Sequence, residues 1–154
     1  MNKLNIGSTL PSFTGIDQNG NEINAKDFIG KCLVVYFYPK DNTPGCTAQA
    51  CSIRDDYSNL LANNIAVIGV SADSVASHKK FTDKFQLPFP LIADTEKTIL
   101  NLFGVWGEKK FMGRTFDGIH RTTFLFDASG TLISVIEKPN TKNHAQEILA
   151  IYAH

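Results

Sequence analysis

Two cysteines five residues apart, Cys46 and Cys51, stand directly after the run Pro39-Lys40-Asp41-Asn42-Thr43-Pro44-Gly45. Thr43 has the side chain of a helix N-cap, and Pro44 is preset for the first helical position. Ala50, Ile53, Tyr57 and Leu60/Leu61 recur at three- and four-residue spacing, which predicts a helix from Pro44 through Leu61. Cys46 then falls in the first turn, where unpaired N–H groups and the positive dipole end favour an anion. The anion of a thiol is its nucleophilic form, so the pattern points to thiol redox chemistry.

Activation of a thiol alone does not make an efficient catalyst. Lowering a thiol pKa from the ordinary ~8.5 to about 6 raises the thiolate fraction at neutral pH roughly thirtyfold. Intrinsic nucleophilicity falls about tenfold over the same shift, leaving a net gain of about threefold. Stabilisation of the transition state must supply the rest. The groups available are the backbone N–H donors of Gly45 and Cys46, the Thr43 hydroxyl and a cation. Arg121 is the candidate cation, because it immediately precedes the apolar strand Thr122–Phe126. The spacing of the two thiols carries its own consequence. On an ideal helix, residues five apart have Cα atoms roughly 8.6 Å apart and point about 140° away from each other. A disulfide needs about 4.4–6.8 Å, so if these thiols pair, the first turns of the helix must unwind.

The rest of the composition narrows the function classes. A chain of 154 residues is long enough for one domain, spanning 1–154, with a full core. Fifteen basic residues balance fifteen acidic ones, which argues against nucleic acid and membrane surfaces as partners. The longest apolar run, Cys32–Tyr38, is far short of the ~20 residues that span a bilayer. The start, Met1 to Ser8, lacks the apolar core of a secretory signal, so a soluble cytoplasmic protein is expected. No segment displays a large interface, and a monomer is the default expectation. Three cysteines are too few for a disulfide scaffold, and Cys32, opening a buried strand, reads as a small hydrophobe. His78 and His144 are placed on solvated helix faces, His154 at the terminus and His120 at the surface beside Arg121. None is spaced with a cysteine as a metal ligand, so no metal is expected. Trp106, Phe111 and Phe116 are assigned to ordinary packing in preference to the rim of a substrate entrance.

The elements that must position these groups follow in chain order. After an irregular lead-in to Pro11, Phe13–Asp17 and Glu22–Asn24 predict a short hairpin, and Asp27–Gly30 a helical turn. Cys32–Tyr38 reads as a strand buried on both faces, entering the cysteine loop. Ile65–Val70 is a second buried strand; Ser74 caps a helix carrying Val75, Phe81 and Phe85, broken at Leu87–Pro90. Leu91–Ile92 is a short strand and 96–103 a helix; Gly104–Gly118 has no period and is expected to be a long, partly ordered loop. Thr122–Phe126 and Thr131–Ile136 form a hairpin through Asp127–Gly130, and Asn143–Ala153 a closing helix. The result is an α/β chain: a mixed central sheet flanked by helices, with an N-terminal hairpin extension. Cysteine at the start of the helix after the first central strand matches, by analogy, a thioredoxin-like fold.

At this point the residues resemble a family. Tyr36-Phe37-Tyr38-Pro39, Thr43-Pro44-Gly45-Cys46-Thr47, Ala50-Cys51 and Arg54-Asp55 look like a peroxiredoxin, and more closely the bacterioferritin comigratory protein, or Q-class, branch. The likeness continues through Gly69-Val70-Ser71, Ser77-His78-Lys79-Lys80-Phe81, Gly104–Lys109 and Gly118–Arg121, covering roughly residues 5–150. The resemblance implies that Cys46 is the peroxidatic thiolate, attacking hydrogen peroxide or an alkyl hydroperoxide to give a sulfenic acid. It implies that Cys51 resolves that acid as an intramolecular disulfide, which thioredoxin or another dithiol reductant reopens. Thr43 and Arg121 are implied to hold the thiolate and the peroxide, and Pro39 to shield the sulfur from water. No metal, haem or flavin cofactor is implied. One position varies: some relatives carry Glu where this chain has Gln49.

Two rivals differ in kind. A thioredoxin-like disulfide reductase generally sets its cysteines only two residues apart, against the spacing here. A peroxide-sensing module would use the Cys46/Cys51 pair to switch a surface, undergoing one stoichiometric oxidation without turnover.

Overall fold

The computed structural model describes residues 3–153; Met1, Asn2 and His154, with the expectations that fall on them, lie outside the described residues. The core is built on the strand β3 (Cys32–Phe37), of which Leu33 to Phe37 are at most 1% exposed. Two-faced burial is what a continuous Leu-Val-Val-Tyr-Phe run demands, since no alternate position is polar. β3 lies parallel to β4 (Ile65–Ser71) and antiparallel to β8 (Thr122–Phe126). With β5 (Leu91–Ala93) and β9 (Leu132–Ile136) they form a five-stranded mixed sheet in the order β5-β4-β3-β8-β9.

Alternation along β3 sends its side chains to two separate cores. Leu33, Val35 and Phe37 meet Ile68, Phe124, Phe126 and Phe103 on one face. Val34, Tyr36 and Tyr38 meet Ala50, Ile53, Phe81 and Ile148 on the other, and Cys46 belongs to this second cluster. The helices there are α1 (Pro44–Asp55), α2 (Tyr57–Ala62), α3 (Val75–Phe85) and α5 (His144–Tyr152); α4 (Thr98–Leu102) covers the first face. Gly69, opposite Tyr36 in the β3–β4 register, has no room for a side chain. A Cβ there would stand 2.9 Å from the Tyr36 ring and 2.7 Å from Leu91 Cδ2.

The N-terminal hairpin, β1 (Thr14–Ile16) with β2 (Glu22–Asn24), is present as expected. Several expectations need correction. The helical turn lies at Ala25–Phe28 rather than 27–30, and the helix expected over 96–103 is confined to α4. The helix expected through Leu61 breaks at Asp56, where φ −110° and ψ 14° leave the helical region; Gln146 Nε2 reaches the Asp56 carboxylate at 2.5 Å. The expected loop over Gly104–Gly118 is instead a hairpin, β6 (Trp106–Phe111) and β7 (Arg114–Ile119). Its turn, Met112 (φ 51°) and Gly113 (φ 77°), has the left-handed geometry of a two-residue hairpin connection. Because most of the hairpin stands clear of the protein, neither face had to be apolar, and no period-two pattern is left in the sequence. Phe111 and Phe116 are 66% and 47% exposed, so the packing role assigned to them is overturned; Trp106 does pack against the core. His78 and His144, expected on solvated faces, are both wholly buried. Each turns inward onto polar partners, which a hydrophobic period cannot register.

Candidate active site

Cys46 is the third residue of α1 and 1% exposed. Pro44 occupies the first turn, and the first ladder bond runs from Thr47 N–H to the Thr43 carbonyl at 2.8 Å. The N–H groups of Gly45 and Cys46 precede that bond and have no acceptor within the helix. Thr43 has the extended backbone of an N-cap (φ −99°, ψ 157°), but its hydroxyl makes no capping bond. Instead Thr43 Oγ1 donates to the Lys40 carbonyl at 2.9 Å. This corrects the expectation that the Thr43 side chain is a helix N-cap, and the hydroxyl makes no hydrogen bond to the sulfur. The preceding Asn42 is left-handed (φ 58°), which turns the chain sharply enough for Lys40 to come within reach.

Arg121 comes from the neighbouring strand: β8 runs antiparallel to β3, and Thr122, the next residue, lies opposite Phe37. Arg121 sits with His120 in the two-residue link between β7 and β8. That link is pinned by His120 N–H to the Val105 carbonyl (2.8 Å) and by His120 Nε2 to the Glu108 carbonyl (2.9 Å). Arg121 Nη2 donates to Cys46 Sγ at 3.2 Å, and Nη1 to Gln49 Oε1 at 2.6 Å. One guanidinium thus spans the first turn of α1, a geometry that its fork allows and a lysine's point charge does not. Gly45 leaves it space: a Cβ there would stand 3.3 Å from Nη2. Pro39 follows Tyr38 at the end of β3 and is half-buried.

Beneath these groups are two buried donors with no partner, the Tyr36 hydroxyl and Gln49 Nε2. Burial first, and then the charges of Cys46 and Asp41, push the Tyr36 pKa well up, so it stays an O–H. A cleft of about 340 Å³ opens beside Arg121, walled by Lys3, Lys109, Lys138 and Glu137. Lys109 Nζ donates to the Ile119 carbonyl at 2.8 Å. Burial and the Arg121 charge lower the Lys109 pKa, against an upward pull from Cys46. Lys109 is a neighbour of the site that sequence reasoning missed, because its segment was taken as loop.

Cys51 is half-buried, and both thiols are free on an intact helix. Sulfurs in that state cannot bond without the unwinding argued above. The far half of α1 is tied to its neighbours: Arg54 Nη1 donates to the Phe85 carbonyl (2.8 Å), and Ser52 Oγ accepts from Ala145 N–H (3.1 Å). Cys32 lies at the opposite end of β3 in a separate cleft with Leu149 and Tyr152; burial and the Asp127 charge raise its pKa. Among the described residues no helix is long and apolar enough to cross a membrane.

A buried sulfur under a guanidinium, with N–H donors of the helix start beside it and a second thiol on the same helix, is equipped for two-electron thiol oxidation. Comparison with known proteins agrees. Residues 6–135 match the AhpC/TSA family. A Haemophilus influenzae protein carrying the name peroxiredoxin bcp is 46% identical over 149 residues, covering 97% of this chain and 96% of its own. Peroxiredoxin Bcp of Escherichia coli is 44% identical with the same coverage. Among solved structures, the Xanthomonas campestris bacterioferritin comigratory protein, described for its alkyl peroxide reduction activity, superposes with a TM-score of 0.86. It is 32% identical and covers 92% of this chain and 91% of that one.

Proposed function

Because the chain belongs to the AhpC/TSA family and is a peroxiredoxin, a thiol-dependent peroxidase, we propose that Cys46 is its peroxidatic cysteine and Cys51 its resolving cysteine. The Cys46 sulfur attacks the terminal oxygen of hydrogen peroxide or an alkyl hydroperoxide. An S–O bond forms as the O–O bond breaks, and the departing oxygen leaves with a proton as water or alcohol. Sulfur is oxidised by two electrons to a sulfenic acid. Arg121 and the N–H groups of Gly45 and Cys46 bear the charge that develops on the oxygens, where donors are worth most in a water-poor site. Thr43 and Pro39 shape the mouth of the pocket. The start of α1 then unwinds, the Cys51 thiolate attacks the Cys46 sulfur, and water leaves as the disulfide forms. A dithiol reductant such as thioredoxin reopens it, with the enzyme acting as a cytoplasmic monomer.

The observation that carries this reading is the 3.2 Å contact between Arg121 Nη2 and the buried Cys46 sulfur at a helix start. Mass spectrometry after one equivalent of peroxide tests it: a Cys46–Cys51 linkage is expected, and a bridge to Cys32 would overturn the resolving assignment. Cys46→Ser is expected to abolish turnover with thioredoxin, and rapid peroxide consumption by that variant would sink the proposal. Cys51→Ser is expected to keep the first oxidation and lose the disulfide.

A further inference from the structure

The loop that leads into Cys46 is held from behind by a buried polar cluster to which the mechanism above gives no part. Asp41, at the centre of the loop, is 7% exposed, and His78 on α3 is wholly buried. His78 Nδ1 lies 2.7 Å from Asp41 Oδ2, and its Nε2 lies 3.0 Å from the Ile92 carbonyl. The carbonyl only accepts, so Nε2 carries a hydrogen. Asp41 Oδ1 already accepts from the Tyr38 hydroxyl (2.6 Å), and Oδ2 from Ser77 Oγ (2.8 Å). Burial first, with the Tyr36 and Asp41 charges, pushes the Tyr38 pKa well up, which keeps it a donor. His78 Nδ1 and Asp41 Oδ2 therefore share a hydrogen, and the ring, with its Nε2 hydrogen on the Ile92 carbonyl, is held at both nitrogens.

The main chain of Asp41 is held as firmly as its side chain. Its N–H donates to Asp73 Oδ2 at 2.8 Å, and the same oxygen accepts from Ser71 Oγ at 2.7 Å. The ends of β3 and β4, the start of α3 and the strand β5 therefore all converge on one loop residue. Asp41, Asp73 and His78 have the composition of a metal site, and their ligand atoms lie within 4.8 Å of one another. The inward carboxylate oxygens, however, are already engaged by hydrogen-bond donors, which a cation would have to displace.

We propose that His78 and Asp41 form a buried imidazolium–carboxylate clamp that positions the Pro39–Thr43 loop over Cys46, and that the clamp serves the peroxide step but not the resolving step. The proposal rests on the assignment of Cys46 and Cys51 above. The direction follows from where the clamp acts. It fixes the chain up to Asp41, so the unwinding that frees Cys46 begins beyond it, at Asn42 to Pro44. Peroxide must meet the sulfur in one geometry, with the loop in place, and small misplacements in such a site cost rate steeply. Cys51 approaches a sulfur that has already left that geometry, so loosening the loop does not hinder it. His78 and Asp41 are positioning residues, acting through the loop and not on the substrate.

The test uses the reduced protein, its Asp41→Asn variant, which keeps the side chain's shape, and His78→Gln. Oxidation of Cys46 and formation of the disulfide are timed separately by rapid mixing with hydrogen peroxide, acid quench and mass spectrometry. In both variants the peroxide step is expected to slow about tenfold while disulfide formation stays within about twofold. Nitrogen-15 spectra of histidine-labelled protein at neutral pH are expected to show protons on both ring nitrogens of His78, identified by their loss in His78→Gln. In Asp41→Asn only the Nε2 proton is expected to remain. Equal slowing of both steps, slowing of neither, or a single ring proton in the wild type would overturn the clamp. Failure of the underlying assignment looks different: the wild type itself would show no oxidation at Cys46. If His78→Gln does not fold, the isosteric Asp41→Asn decides alone.

Discussion

The two flanks of Cys46 each lean on a buried histidine beside a carboxylate, yet the two rings sit in opposite surroundings. On the loop side, His78 faces a carboxylate and a carbonyl, both acceptors. On the helix side, His144 opens α5, with Nδ1 2.9 Å from Glu147 Oε1 and Nε2 2.9 Å from the Thr123 hydroxyl. A hydroxyl can donate, so a neutral ring with its hydrogen on Nδ1 satisfies both neighbours of His144. Burial above all, with a smaller push from the Arg121 charge, lowers the His144 pKa against the pull of Glu147. Residue type and depth are the same in the two places; the partner of the second nitrogen differs. The loop flank is therefore held by charge-assisted bonds, which are short and directional. The helix flank is held by apolar packing of Ala50 and Ile53 in a cluster with Ile148, together with the Ser52 and Arg54 bonds. The Ser52 and Arg54 bonds lie beyond Cys51, so the turns before them can unwind and rewind without dismantling the loop.

The largest test of this contrast is at Arg121, whose guanidinium hydrogen-bonds both the sulfur and Gln49 in the second turn of α1. Arg121→Ala is expected to slow the peroxide step by about 100-fold, the usual cost of losing one preorganised donor. Disulfide formation, which begins by leaving the guanidinium, is expected to change little or to accelerate. Arg121→Lys is expected to recover only part of the loss, because an ammonium cannot hold Sγ and Gln49 together. Separate timing of the two steps checks both outcomes; equal losses in both would show that the two flanks act as one unit.

Much of this arrangement was legible in the sequence where a periodic or positional rule applied. The β3 run, the Pro44 helix start, the Ser74 cap and the placing of Arg121 ahead of β8 all follow from local pattern, and the Ser74 hydroxyl does accept from Ser77 N–H at 3.1 Å. What escaped were features without a local signature. The β6–β7 hairpin is mostly exposed, so its residues were free of the alternation that burial imposes. The bend at Asp56 coincides with a contact to α5, ninety residues away in the chain. His78 and Asp41 are separated by 37 residues and satisfy each other only once α3 packs on the sheet. A buried polar pair looks, in sequence, like two surface residues; its burial is a property of the pairing.

A smaller effect is expected from the helix alone. If the resolving step waits on unwinding of the first turns of α1, its rate should track the helix propensity of the half-buried residues in those turns. Ala48→Gly costs a helix about 1 kcal/mol and is expected to speed disulfide formation about fivefold. Thr47→Ala favours the wound form by roughly half that and is expected to slow the step about twofold. Neither change should move the peroxide step by as much, since the loop in front is anchored independently. Quench-and-mass-spectrometry timing checks this; the same slope on both steps would mean that winding also controls peroxide attack.

The smallest effect concerns the helix-side histidine and is read in stability. His144 has a folded pKa below its ordinary 6.5 because burial disfavours the charged ring. Above that value the ring is neutral in both states and its full contribution to folding is present. As pH falls through it, the unfolded chain takes up a proton that the folded ring resists, and stability is lost. The unfolding midpoint should therefore drop between about pH 8 and about pH 5.5, and drop less in His144→Gln, whose side chain does not titrate. The difference between the two slopes isolates this ring from the carboxylates that titrate in both proteins. Parallel slopes for wild type and His144→Gln would remove the distinction between the histidines, and with it the reason for expecting one flank of Cys46 to loosen in acid before the other.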